Sequence, residues 1–147
     1  MIDSFSGEYR FLSNFYQAEV EFEGMMYPST EHAYQAAKTL DLKSRAMFQG
    51  GTAGQAKRLG QVIILRDDWT NDNVKISVMY AVLLDKFTRH QDLRKQLIAT
   101  SPNELIEGNT WNDTFWGVCD GKGKNHLGKL LMSIRQEIIL QTLEDDV

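Results

Sequence analysis

The chain has 147 residues, 42% of them hydrophobic and 24% charged, with only 2 prolines; it falls within the ~100–200 residues of one domain and has enough apolar material to form a core rather than stay disordered. Its 16 Lys and Arg against 20 Asp and Glu leave a formal charge of −4, which excludes a surface coated throughout in positive charge but permits a local basic groove. The single Cys119 excludes a disulfide framework and zinc sites built from paired cysteines, and His32, His90 and His126 are too scattered for a dedicated cage, so no metal is expected.

No apolar run approaches the ~18–20 residues of a membrane helix, and the N-terminus lacks the basic-then-apolar layout of a signal peptide; a cytosolic location and no membrane partner are the expectation. No repeat or Pro/Gly/Ser-rich linker interrupts the chain. One domain over residues 1–143 is therefore expected, with 144–147 as an acidic, solvated tail.

In chain order, residues 10–15 mix aromatic and polar side chains without clear periodicity. Residues 18–22 and 25–27 alternate around Glu23-Gly24 and predict a short hairpin. Pro28-Ser29-Thr30 then supplies capping hydroxyls for a helix running from Ser29 through three alanines to Lys38. Further helices are predicted over 41–48, 52–59, 71–87, 91–99 and 126–140, with Gly50-Gly51 and Gly60 as stops. The apolar stripes Val74, Val78, Ala81, Val82, Leu84, Phe87 and Leu127, Leu130, Leu131, Ile134, Ile138, Leu140 follow helical spacing, and these two helices are expected at the centre of a mainly helical core. Residues 104–107 read as a short strand. Residues 108–125 form a long loop, a length more often functional than decorative in a small domain.

Three groupings bear chemistry. Glu31, Gln35 and Lys38 stand at i, i+4 and i+7, so a helix would project all three from nearly one face with Tyr34 beside them. That face is either a solvated surface with a weak Glu–Gln contact, or a pocket in which Glu31 handles a proton or a developing positive charge and a desolvated Lys38 attacks a carbonyl carbon. The loop Trp111-Asn112-Asp113-Thr114-Phe115-Trp116-Gly117, with Trp69 elsewhere, offers indoles to stack on flat rings or a sugar face, and in Asp113 a holder of ribose hydroxyls or a second catalytic acid; each tryptophan equally suits a core anchor. Gly121-Lys122-Gly123-Lys124-Asn125-His126-Leu127-Gly128-Lys129 places glycines and cations at a helix N-terminus, either a phosphate cradle or a turn with solvated lysines; it lacks the order of a Walker motif.

Together, Phe11-Leu12-Ser13-Asn14-Phe15, the block from Tyr27 through Pro28-Ser29-Thr30-Glu31-His32-Ala33-Tyr34-Gln35-Ala36-Ala37-Lys38, Trp69, and the run from Glu107 through Trp116-Gly117 to Met132 resemble the NADAR, or YbiA-like, family across nearly the whole chain. The resemblance implies a compact, mainly α fold with a small N-terminal hairpin, acting on N-glycosidic bonds of ribose-containing nucleotides. It implies two substrate classes: ADP-ribose on guanine, and phosphorylated ribosylaminopyrimidine intermediates of riboflavin synthesis. By motif position it makes Glu31 the catalytic carboxylate, with Asp113 and Lys38 beside it and Lys38 attacking the ribose anomeric carbon. Phe11, Ser13, Asn14, Tyr34, Gln35, Trp69, Trp116, Gly117, Lys124 and Asn125 become candidates for binding substrate. No metal or redox cofactor is implied. The ligand would be of the ADP-ribose or ribose-phosphate type, and a basic patch of Lys122, Lys124 and Lys129 would suit ADP-ribosylated DNA or RNA. Two other classes stay open: a non-catalytic reader of ADP-ribose or NAD-like ligands, and an interaction domain that binds protein through its helical faces.

Overall fold

The structure, a computed structural model, describes residues 1–145; the end of the expected acidic tail, Asp146 and Val147, lies outside them. The backbone falls into two compact units, Asn14–Arg89 and Met1–Ser13 together with the chain from His90 onward. The fold is mainly α-helical with a small hairpin, as expected.

In the Asn14–Arg89 unit, β1 (Val20–Phe22) pairs antiparallel with β2 (Met25–Tyr27), Val20 opposite Tyr27 and Phe22 opposite Met25. Both turn residues, Glu23 at φ 47° and Gly24 at φ 87°, are left-handed, which matches the twist of a two-residue hairpin. Helix α1 (Thr30–Ala36) follows. Its cap is Ser29, whose hydroxyl accepts from the His32 amide at 3.2 Å and stands 2.7 Å from His32 Nδ1. His32 Nε2 lies 3.0 Å from the Gly51 carbonyl, which can only accept, so Nε2 carries the proton and Nδ1 takes the Ser29 hydroxyl proton. Burial pulls the His32 pKa down, opposed by the Gly51 carbonyl. This histidine therefore ties α1 to the glycine turn as a neutral group.

Helix α2 (Leu42–Ala46) is capped by Asp41, and α3 (Ala53–Gly60) by a reciprocal Thr52–Gln55 box, each cap being worth ~1 kcal/mol. Helix α4 (Asp72–Arg89) buries Val78, Met79, Val82, Leu83 and Phe87. Its stripe is rotated from the predicted one: Ala81 is exposed and Val74 and Leu84 are half-buried, while Lys86 is fully enclosed. Because α1 is packed against both strands, α3 and α4, every one of its side chains is buried. A solvated face on this helix is thereby excluded.

The other unit opens with a 3₁₀ turn, Gly7–Leu12, and contains α5 (Gln91–Ala99) and α6 (His126–Asp145). Helix α6 buries Leu127, Leu131, Ile134 and Ile138. It continues past the expected stop at 140 through the exposed Glu144 and Asp145. The strand predicted over 104–107 is reduced to isolated bridges, Leu105 to Ile2 and, just past its end, Gly108 to Val118, with the Val118 amide donating to the Glu107 carbonyl. Among the described residues no helix is long and apolar enough to cross a membrane.

Candidate functional site

Glu31 occupies the first turn of α1, where the partial positive charge of the helix end favours an acid. The residue is only 7% exposed and its Oε1 accepts from Gln35 Nε2 at 2.9 Å. The i, i+4 pair expected from spacing thus forms in the interior. An amide that donates to an acid must point its own oxygen the other way, and Gln35 Oε1 is buried without a hydrogen-bond partner. It points at Gly60, where a β-carbon would collide with it. Helix α3 ends at Gly60, the expected stop, but without a left-handed φ, and the residue's lack of a side chain makes room for the Gln35 amide.

Lys38 departs from the predicted geometry. Helix α1 ends at Ala36, and the Lys38 amide closes a tight turn on the Gln35 carbonyl at 3.2 Å. Lys38 therefore stands beyond the helix, half-buried, rather than two turns along one face. Burial lowers its pKa; the charge of Glu31 opposes that, and Lys75 and Lys57 add to it. A lysine held in this way presents an amine that is more easily neutral than a solvated one.

Tyr34 and Trp69 pack as a tilted pair with ring centroids 5.3 Å apart, and Trp69 is 4% exposed. Asn14 anchors the start of α1: its carbonyl accepts from the Glu31 amide at 3.1 Å, its Oδ1 accepts from the Thr30 hydroxyl at 2.8 Å, and its Nδ2 meets Met79 Sδ at 3.5 Å. In this unit, then, Glu31, Gln35, Lys38 and the Tyr34–Trp69 pair gather at α1, and Asn14 holds the acid's backbone.

The remaining candidates belong to the other unit. Phe11 is buried in the 3₁₀ turn, and Ser13 caps it with its amide on the Arg10 carbonyl. Asp113 builds a turn: its Oδ1 accepts from the amides of Phe115 at 3.1 Å and Trp116 at 2.9 Å, and Asn109 clamps its backbone from both sides. Phe115, Trp116 and His126 form an aromatic cluster, with Lys124 Nζ 6.0 Å from the Phe115 ring centroid. Gly117 is required by close approach, since a β-carbon would strike the carboxylate and carbonyl of Glu107. Asn125 is engaged as well: Oδ1 accepts from the Glu107 amide at 3.0 Å and Nδ2 donates to the Leu105 carbonyl at 3.0 Å.

The glycine-rich turn differs from the cradle reading. The amides of Lys124, Asn125, His126 and Leu127 donate to the carbonyls of Thr114, Gly117, Phe115 and Trp116 at 2.8–3.3 Å. The start of α6 thus spends its free donors on the preceding loop instead of holding them out for an anion. Two residues escape the sequence reading as site candidates. Glu107 and Asn109 are joined, Nδ2 to Oε2 at 2.9 Å, and together they position Gly117 and Asp113. The only sequence signal is an acid and an amide bracketing a glycine just ahead of the tryptophan loop.

The chain is a mainly helical protein with a small hairpin, an acid–amide pair buried in its first α-helix and a tryptophan-rich loop before its last helix, and the model of the NADAR domain family matches residues 3–139. The chain belongs to the NADAR family. It is similar to the N-glycosidase YbiA of Escherichia coli, 39% identical over 142 residues that cover 94% of this chain and 87% of that protein. It is also similar to a riboflavin biosynthesis protein of Vibrio vulnificus, 37% identical over 132 residues, 87% of this chain but 35% of that longer protein. The solution NMR structure of the Escherichia coli protein YbiA superposes with a TM-score of 0.83 at 37% identity, over 98% of this chain and 90% of that one.

Proposed function

We propose that this protein is an N-glycosidase that hydrolyses the ribose C1′–N bond of ADP-ribosylated guanine, in nucleic acid or in a nucleotide, or of a related ribose-phosphate substrate. The observation that carries the reading is the buried Glu31–Gln35 pair with Lys38 in electrostatic reach. Cleaving C1′–N leaves positive charge on the sugar and negative charge on the departing base. A carboxylate fixed by an amide donor stabilises the sugar side. In the covalent route, Lys38 Nζ donates its lone pair to C1′ as the C1′–N bond breaks, and the base departs with a proton. The nitrogen then gives up its remaining proton and forms the imine as the C1′–O4′ bond opens and O4′ is protonated, and water hydrolyses the imine to release the sugar and free the amine. In the direct route water takes the place of Lys38, and Glu31 accepts its proton.

The name of the Vibrio vulnificus relative favours a second substrate, a ribosylaminopyrimidine phosphate of riboflavin synthesis. A mass-spectrometric panel comparing base release from ADP-ribosyl-guanine in an oligonucleotide and from the ribosylaminopyrimidine phosphate tests both. Release from the first supports the principal reading, and release from the second alone replaces it. Binding of free ADP-ribose without release from either substrate would make the protein a reader rather than an enzyme.

A further inference from the structure

A helix leaves its last carbonyls without an amide of its own to receive, and α1 carries no base in its last turn to meet them. The chain that follows it is held from outside. The carbonyls of three successive residues each accept from an arginine: Ala37 from Arg66 Nη1 at 3.3 Å, Lys38 from the Arg66 main-chain amide at 2.7 Å, and Thr39 from Arg45 Nε at 2.7 Å. The Lys38 amide is spent as well, on the Gln35 carbonyl. Arg66 thus grips both peptide units that flank the Lys38 α-carbon.

Arg66 is itself fixed. Its Nε and Nη2 donate to the two carboxylate oxygens of Asp68 at 2.6 and 3.1 Å, a planar fork that leaves Nη1 for the Ala37 carbonyl. Those donors hold the Asp68 carboxyl below the usual carboxylate range. The Arg66 carbonyl accepts from the Trp69 amide at 3.1 Å, closing residues 66–69 into a turn, and the Trp69 ring packs on Tyr34 of α1. One short turn therefore touches α1 at the Tyr34 ring and the chain beyond it at Ala37 and Lys38. A guanidinium already forked on an acid has little left to offer an anionic ligand, and its charge is balanced by Asp68 before it is felt at Lys38.

We infer that Arg66, locked by Asp68, is a positioning residue that fixes the backbone on both sides of Lys38 and so sets the point from which its amine reaches the sugar. The inference rests on the reading of Lys38 as the group that attacks C1′. Lys38 starts from a tight turn beyond α1, where no helical ladder holds it, and its flexible four-carbon stem carries any shift of that root to the reacting nitrogen. A misplacement of ~1 Å can cost ~100-fold in rate. Arg66 acts through Lys38, as a clamp on its main chain.

The test follows Lys38 with and without substrate. In the whole chain, the rate at which an amine-acylating reagent labels Lys38, read by mass spectrometry of its peptide across pH, gives the midpoint at which the amine loses its proton. Burial holds that midpoint below the 10.5 of an ordinary lysine in the wild type. Arg66→Met and Asp68→Ala should each let Lys38 out toward water and raise it by ~0.5–1 pH unit. Arg66→Lys, with one ammonium in place of three side-chain hydrogen bonds, should fall between. Arg89→Met breaks a pair of the same kind, with Asp85 on α4, and should behave as wild type. On whichever N-riboside the protein cleaves, kcat should fall ~10–100-fold in Arg66→Met and in Asp68→Ala with KM within about twofold. The double variant should lose no more than either alone. Asp68 is exposed, so its replacement tests the clamp even where Arg66→Met does not fold; melting temperatures report the fold. An unmoved midpoint in the folded variants, a moved midpoint with unchanged turnover, a raised KM at constant kcat, or an equal effect from Arg89→Met would each overturn the inference. Base release by the wild type is the separate measure of the glycosidase reading. A moved midpoint in a protein that cleaves no N-riboside leaves the hold on Lys38 standing and sinks that reading; cleavage with the midpoint unmoved does the reverse.

Discussion

The side-chain oxygen of Gln35 lies in the space that a β-carbon on residue 60 would occupy: built there, that carbon would collide with Oε1 and stand 2.8 Å from Cδ. Two elements are thereby coupled through the absence of a methyl group. Helix α3 approaches α1 closely enough to hold the Gln35 amide in one orientation, and that orientation aims Nε2 at Glu31.

Gly60→Ala should for this reason be harmful although alanine is the better helix former by roughly 0.8–1.0 kcal/mol. The added carbon displaces the amide and removes the donor from Glu31, and base release should fall ~10–100-fold with a smaller change in KM. Gln35→Ala should cost about as much. In the double variant the two effects should not add, because alanine in place of Gln35 leaves no amide to displace. Steady-state kinetics on the four proteins checks this, and additive losses would show that Gly60 acts by another path.

Glu31→Gln keeps the size of the side chain but removes the charge and sets two amides against each other at 2.9 Å. Base release should drop ~10³-fold or more, while helix content and oligomeric state stay as in wild type. Near-normal turnover by a folded Glu31→Gln protein would remove the acid from the mechanism.

The lowered pKa of Lys38 gives the covalent route a pH signature. Only the neutral amine attacks, so trapping of substrate by cyanoborohydride should rise with pH and level off at the Lys38 pKa, below the 10.5 of an ordinary lysine. Replacing Lys57 or Lys75 by methionine removes a repelling charge, raises the Lys38 pKa and moves the plateau to higher pH. Mass spectrometry of the trapped adduct reads both effects. No adduct from wild type, together with an active Lys38→Ala protein, leaves the direct water route.

The features legible in the sequence are those that local chemistry decides. Ser29, Asp41 and Thr52 announce three helix starts because a side-chain oxygen satisfies an end amide whatever the surrounding fold, and Glu23-Gly24 announces its turn because both positions need positive φ. The pairing of Glu31 with Gln35 follows from helical spacing. Its burial does not, since spacing says nothing of what packs around a helix. Lys38 is displaced from its expected place by one short tight turn, which no residue type marks. Gly60 reads as a stop and α3 does end there, but its room for the Gln35 amide is not legible, because a glycine kept for close packing and a glycine kept for a left-handed cap look alike in one sequence. Asn125 and the start of α6 read as ligand donors because the carbonyls that occupy them come from residues up to 20 positions away.

Asp113 separates turn-making from charge. Asn in its place keeps an oxygen for the amides of Phe115 and Trp116, whereas Ala does not. Asp113→Ala should lower stability by ~1–2 kcal/mol, and Asp113→Asn by much less. Denaturant titration distinguishes the two. If Asp113→Asn nevertheless abolishes base release, the acid's charge and not its turn is what catalysis uses.

Lys86 makes the thermal stability of the fold depend on pH. It is fully enclosed in α4, 5.1 Å from the Phe87 ring centroid and 5.6 Å from that of Tyr16, and burial lowers its pKa to about 7. In the unfolded chain it titrates near 10.5. Between those two values the unfolded state holds a proton that the folded state lacks, so the contribution of this group to stability rises with pH from about 7 to 10.5 and is lowest below 7. Melting curves taken from pH 6 to 9.5 should show that rise against the general decline expected as other groups titrate. Lys86→Met, similar in length and without a charge, should flatten it. The informative quantity is the difference between the two proteins, since every other titrating group is common to both: the gap in melting temperature should favour the methionine variant most at pH 6 and shift by ~2–6 °C toward wild type by pH 9.5. A gap independent of pH would mean that Lys86 keeps its proton inside the fold, with the aromatic faces of Tyr16 and Phe87 supplying much of the stabilisation that water gives it outside.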